Sequence, residues 1–215
     1  MKKLIAIISL LALSLCLFAG CKDKTFTTAD DGSTPATQPA ENEAPETVTG
    51  KHHVVIEVKD YGTIKLELDG DAAPITVANF LSLAESGFYD GLTFHRIMEG
   101  FMMQGGDPNG NGSGGSDKNI KGEFLLNGWD NPIAHTRGTI SMARATPPDS
   151  GSSQFFICHQ DAPSLNGAYA AFGHVTEGMD VVDAICEYSS SVVVDNNGTI
   201  LPDDQPVIVS IKVID

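Results

Sequence analysis

The residues able to do chemistry gather in short blocks between positions 94 and 173. Phe94-His95-Arg96-Ile97 is followed by Gly100-Phe101-Met102-Met103-Gln104-Gly105-Gly106-Asp107. Further on come Ser141-Met142-Ala143-Arg144-Ala145, Gly151-Ser152-Ser153-Gln154-Phe155-Phe156-Ile157, and Leu165-Asn166-Gly167 with Phe172-Gly173. Arg96 offers a guanidinium that stays charged and presents a rigid fork of N–H donors. Gln104 carries both a donor and an acceptor, as hydrogen bonding to a peptide unit requires. The aromatic residues supply flat apolar walls of low conformational entropy. Metal chemistry is not indicated: no Cys-x-x-Cys pair and no His/Cys cluster at ligand spacing occurs.

Five separated blocks in this order resemble the cyclophilin family and cover most of residues 54–215. The resemblance implies a mainly β fold, a closed eight-stranded antiparallel β-barrel capped by two α-helices. It also implies peptidyl-prolyl cis-trans isomerase activity, with no cofactor and no metal. That reaction rotates an X-Pro bond through a twisted state in which amide resonance is lost, against a barrier of about 18–20 kcal/mol. No covalent bond breaks, so an enzyme need only bind the twisted amide better than either planar form. An apolar slot for the pyrrolidine ring and a fixed donor aimed at the amide suffice.

By the resemblance, Arg96 is the catalytic donor. The alternative, a surface arginine in a salt bridge, is the default for most arginines; its place between Phe94-His95 and the Gly-Phe-Met-Met-Gln block weighs against it. Phe101, Met102, Phe156 and Leu165 match the positions that hold the proline ring. Neighbouring strand residues face opposite ways, so Phe155 and Phe156 cannot both belong to the core. Gln104, Ala143 and Arg144 match positions that bind the substrate backbone, and Gly112 maps to a glycine-rich loop where a missing side chain leaves room. His95 either lines the pocket or packs; it has no proton to move. Three residues depart from many eukaryotic members. Ser164 stands where they have Trp, which implies weak cyclosporin binding. Tyr169 replaces the pocket histidine and still offers an apolar wall and a hydroxyl. Arg144 replaces Asn, and its charge is expected to favour acidic neighbours of the proline.

The elements that must position these groups are legible from periodicity. Val54, Ile56 and Val58, then Ile64, Leu66 and Leu68, alternate with more polar residues around Asp60-Tyr61-Gly62 and predict a β-hairpin. A helix begins at Pro74, shares Val77, Leu81 and Ala84 on one face, and ends at Gly87. Short strands and glycine-rich loops follow, then a second helix over Glu177–Glu187. Val207, Val209, Ile211 and Val213 predict a closing strand. Periodicity alone supports a barrel with two helices.

Composition bounds the rest. The 215 residues hold 41% hydrophobic and 19% charged residues, enough to bury a core. Lys and Arg total 13 against 28 Asp and Glu, a formal charge of −15, with no basic stripe; nucleic acid is therefore not an expected partner. Residues 1–20 read as a signal: Lys2 and Lys3, an apolar run from Leu4 to Phe18, then small residues. Leu17-Phe18-Ala19-Gly20-Cys21 resembles a bacterial lipobox, with Phe18 where Leu is commoner, so Cys21 is expected to carry lipid. Residues 21–51, rich in Thr, Pro and acidic groups, read as a disordered tether. The isomerase domain is then 52–215, held extracytoplasmically at the bacterial membrane and acting on proline-containing segments of exported proteins. Cys158 and Cys186 remain, and their pairing is open. A proline-binding module with little activity and a surface adhesin are the rival readings; Arg96, Phe101, Gln104 and Phe156 favour the enzyme.

Overall fold

The computed structural model describes residues 46–215. The signal 1–20, Cys21 and most of the tether 21–51 lie outside the described residues. The strands are β1 (Lys51–Val58), β2 (Gly62–Asp69), β3 (Phe94–Met98), β4 (Met102–Gly105), β5 (Thr139–Met142), β6 (Phe155–Cys158), β7 (Ala170–Glu177) and β8 (Ile208–Val213). Helix α1 spans Pro74–Glu85 and α2 spans Met179–Val192. One sheet runs β3-β4-β6-β5-β7-β2-β1-β8, and every neighbouring pair is antiparallel. Its two edges meet: Thr93 bridges Val207, the Phe94 N–H donates to Pro206 O at 3.0 Å, and that of Ile208 to Leu92 O at 2.7 Å. The sheet curls round so that its two edge strands join there.

The expected hairpin is present. Val54, Ile56 and Val58 of β1 and Ile64, Leu66 and Leu68 of β2 are buried, with Val54 opposite Leu66 and Ile56 opposite Ile64. The chain joins the fold slightly before His52: the Gly70 N–H donates to Gly50 O at 2.8 Å. β8 differs from its expected alternation. Its register against β1 shifts between Glu57 and Val58, so Ile208 and Ile211 are buried while Val209 is 41% exposed. An extra residue at a bulge swaps the faces of what lies beyond it.

Helix α1 starts with proline at its first turn and has no side-chain cap of its own at Ala73. A distant carboxylate supplies one. Glu123, fully buried, accepts from the backbone N–H groups of Ile75 (3.0 Å) and Thr76 (2.8 Å) and from the Thr76 hydroxyl (2.7 Å). Helix N-termini leave such donors unpartnered and favour negative charge. Helix α2 starts two residues later than expected and runs five further, to Val192. Gly178 precedes it at φ +91°, where a Cβ would stand 2.3 Å from Thr63 O; only glycine fits.

Strand alternation splits the apolar residues into two groups. Met103, Phe155 and Ile157 join the core inside the barrel. Met102, Phe156 and Cys158 point outward and form a second cluster with Ala162, flanked by Phe101, Leu165 and Tyr169.

Candidate active site

The outward cluster is the floor of a cleft of about 230 Å³. β4 and β6 pair with Met102 opposite Cys158 and Gln104 opposite Phe156, which sets Met102, Gln104 and Phe156 on one face. Phe101, Leu165 and Tyr169 stand around that floor. The Tyr169 ring meets the Phe156 ring edge-on at 5.8 Å. Behind Phe156 the buried ring of His135 stacks at 5.9 Å. Its Nδ1 lies 3.1 Å from Asn166 Oδ1, so Nδ1 carries the proton and Nε2 accepts from the Ser141 hydroxyl at 3.0 Å.

Arg96 borders this floor from β3, half-buried. Its Nε donates to Asn197 O at 2.7 Å, Nη1 to Gln104 Oε1 at 3.2 Å, and Nη2 lies 3.2 Å from Met98 Sδ. No ion pair among the described residues includes it. Burial lowers its pKa from the ordinary guanidinium value, with Tyr169 and Asp195 acting the other way. A charge without a carboxylate partner, aimed across an apolar slot, is poised for a ligand.

Of the predicted peptide-site residues, all of them among the described residues, only His95 and Gly112 lie outside this cleft. Gly112 lines an adjoining polar cleft of about 350 Å³, shared with Gln104, Ala143, Arg144 and Gln154. His95 packs: it is 4% exposed, and neither ring nitrogen has a hydrogen-bond partner. Burial lowers its pKa, Asp107 opposing and Arg96 adding to the effect. Arg144 is more constrained than its sequence suggested. It donates to the carbonyls of Ala168 (2.9 Å), Ala145 (2.9 Å) and Thr146 (3.3 Å) and lies over the rings of Tyr169 and Phe124. Much of its bonding capacity is spent on the protein itself, in bracing Tyr169.

Sequence reasoning missed three supports. Gln154 accepts from Gln104 Nε2 at 2.8 Å, and it sat unremarked inside a block already singled out. Asp107, buried, accepts from the backbone N–H groups of Asn109, Asn111 and Gly112 and so shapes the glycine loop. Burial works against its charge, yet those donors hold its carboxyl below the usual range. Asn197 acts through its carbonyl, which no side-chain pattern reveals. Among the described residues no group of three His, Cys, Asp or Glu is placed to hold a metal ion.

An apolar slot bordered by the Arg96 guanidinium can grip a pyrrolidine ring and polarise the amide beside it. Residues 53–213 match the family described as "Cyclophilin type peptidyl-prolyl cis-trans isomerase/CLD". The chain belongs to the cyclophilin family. Its fold is the cyclophilin fold, and its activity is that of a peptidyl-prolyl cis-trans isomerase. Peptidyl-prolyl cis-trans isomerase B of Bacillus subtilis is 51% identical over 123 residues, 57% of this chain and 82% of that one. A peptidyl-prolyl cis-trans isomerase of Helicobacter pylori is 49% identical over 126 residues, 58% of this chain and 74% of its own. A crystal structure of a Cryptosporidium parvum cyclophilin, determined in the presence of the dipeptide Ala-Pro, superposes with TM-score 0.66 at 31% identity. It covers 76% of this chain and 99% of that one.

Proposed function

We propose that this cyclophilin accelerates X-Pro rotation in proteins that fold outside the cytoplasm, from a lipid anchor at Cys21, with Arg96 as the group that favours the twisted amide. The observation that carries the mechanism is the half-buried Arg96 guanidinium beside the slot, held at Nε by Asn197 O and without a carboxylate partner among the described residues. As the amide twists, resonance is lost and the nitrogen regains a lone pair. A fixed charged donor then stabilises the twisted form more than the planar ones. Each ~1.4 kcal/mol of that difference gives about tenfold in rate.

Proline-containing peptides are the ligands, a reading supported by the dipeptide present with the related crystal structure. The exported setting rests on Lys2, Lys3, the apolar run that follows and the lipobox-like Leu17-Phe18-Ala19-Gly20-Cys21. Outside the cytoplasm prolyl isomerisation can limit folding, since uncatalysed exchange takes tens of seconds or longer. Cyclosporin binds weakly, because Ser164 lies exposed on the 163–165 turn and offers no aromatic ring.

The test is isomerisation of an X-Pro peptide by residues 22–215, wild type beside Arg96→Ala. Catalysis that collapses in a still-folded variant supports the mechanism. Catalysis indifferent to the substitution moves the donor role away from Arg96.

A further inference from the structure

His159 follows β6 directly and lies behind the slot, 8% exposed. Its Nδ1 accepts a hydrogen bond from the backbone N–H of Gly100 at 2.8 Å. Gly100 stands in the turn between β3 and β4, at φ +79°, just before Phe101. The main chain of His159 grips the same turn: its N–H donates to Phe101 O at 2.9 Å. One residue therefore holds the peptide that enters Gly100 and the peptide that leaves Phe101.

The imidazole is itself held from α2. Its Nε2 lies 3.1 Å from Asp183 Oδ1, a contact of charge and polarity whose alignment falls short of a hydrogen bond. Arg137 locks this carboxylate, donating from Nη2 to Asp183 Oδ2 at 2.8 Å and from Nη1 to His159 O at 2.7 Å. Because Nδ1 accepts, it is bare, and the neutral ring carries its proton on Nε2, towards Asp183.

The geometry points to His159 as a positioning residue for the isomerase, holding the Gly100–Phe101 turn so that the Phe101 ring stands as a wall of the slot and tying that wall through Asp183 and Arg137 to α2. A glycine in the left-handed region has no side chain to fix its turn, and the imidazole does that work from outside. A wall held in place costs a ligand less ordering on binding. Phe101 touches the proline ring whether the amide is planar or twisted, so loosening it weakens ground and transition states alike. Such a loss raises KM and leaves kcat. The inference rests on the slot being the peptide site, as proposed above.

Steady-state isomerisation by the purified protein tests it with two substitutions of similar polarity. In His159→Asn the side-chain oxygen falls near the place of Nδ1 and keeps the Gly100 bond. In His159→Gln the oxygen reaches towards the place of Nε2 and leaves Gly100 unpartnered. We expect His159→Asn to stay within about twofold of wild type, and His159→Gln to raise KM about five- to tenfold at nearly constant kcat. Equal KM values in the two variants, or a loss confined to kcat, would overturn the assignment. Should His159→Gln not fold, hydrogen exchange at the Gly100 amide decides: fast exchange in the folded wild type overturns it and protection supports it. Arg96→Ala in the same assay tests the slot reading by itself, since it strikes kcat and leaves the turn alone.

Discussion

Nη1 of Arg96 donates to Oε1 of Gln104 at 3.2 Å, and this contact decides which way the Gln104 amide faces. With its oxygen turned to Arg96, its Nε2 points to Gln154 Oε1 at 2.8 Å. Gln154 in turn donates to Gly114 O at 2.8 Å and Gly112 O at 3.2 Å. A file of amides runs from the guanidinium to the glycine loop. Turning any one of them over sets like groups against each other.

The far member of that file is expected to matter although it does not line the slot. Gln154→Leu frees the Gln104 amide to rotate, and we expect kcat/KM to fall about tenfold, the size of one lost polar contact of ~1.4 kcal/mol. Kinetics on an X-Pro peptide, with circular dichroism to check the fold, measures this; unchanged kcat/KM would dismiss the file as incidental.

Arg96→Lys tests geometry against charge. Arg96 serves Asn197 O, Gln104 and the slot in three directions at once, which a fork of five N–H groups allows and a single ammonium does not. We expect kcat to fall about a hundredfold with the melting temperature little changed. Near-normal kcat would mean that charge alone is enough.

Stability should fall on mild acidification. Burial lowers the pKa of both His95 and His135 from the usual 6.5, Asp107 and Asn166 opposing in part. Below about pH 6.5 the unfolded chain takes up protons that the folded protein refuses, so ΔG of unfolding drops as pH falls towards the folded values. The urea midpoint at about pH 5.5 should lie below that at about pH 7.5, and the gap should narrow in His135→Gln. A gap of the same size in that variant would acquit His135.

Glu123→Ala removes the cap that α1 borrows from a distant loop and leaves two buried backbone N–H groups and the Thr76 hydroxyl without a partner. A loss of about 2 kcal/mol is expected, which for a domain of this size lowers Tm by about 4–8 °C. A shift under about 1 °C would mean that water replaces the carboxylate without loss.

The anchor is read by labelling. Expressed in a bacterium fed labelled palmitate, the wild-type chain should take up label and sediment with membranes, and Cys21→Ser should do neither. Label retained by Cys21→Ser would end the lipoprotein reading.

The sequence showed some of this architecture and hid some, for physical reasons. The β1–β2 hairpin was plain because its inner residues meet one apolar core and its outer residues meet water. Phe155 and Phe156 were rightly assigned to different faces, yet both are buried, since the outward face carries a cluster of its own. The bulge at Val209 of β8 was invisible, because one extra residue leaves no mark in composition. The full length of α2 was masked by Ser189, Ser190 and Ser191, poor helix formers; Ser189 and Ser191 return their hydroxyls to the carbonyls of Cys186 and Tyr188. His95 stands next to Arg96 in sequence, but it is the residue left unpaired where the β3–β4 register shifts, and it packs on the other side of the strand from the slot. The contribution of Asn197 is a backbone carbonyl, which any residue could have supplied.

That carbonyl lies 101 residues beyond the guanidinium it holds, and β1 finds one of its partners in β8, the last strand. A chain emerging vectorially from a ribosome or a translocation pore therefore exposes its slot-forming blocks long before it can assemble them. Pairings so far apart in sequence must await loop closure and form slowly. A nascent chain stopped before Asn197 lacks the carbonyl that holds Arg96 Nε, and the guanidinium then keeps only its nearer contact with Gln104. A catalyst of slow prolyl rotation is thus itself built from contacts that close late.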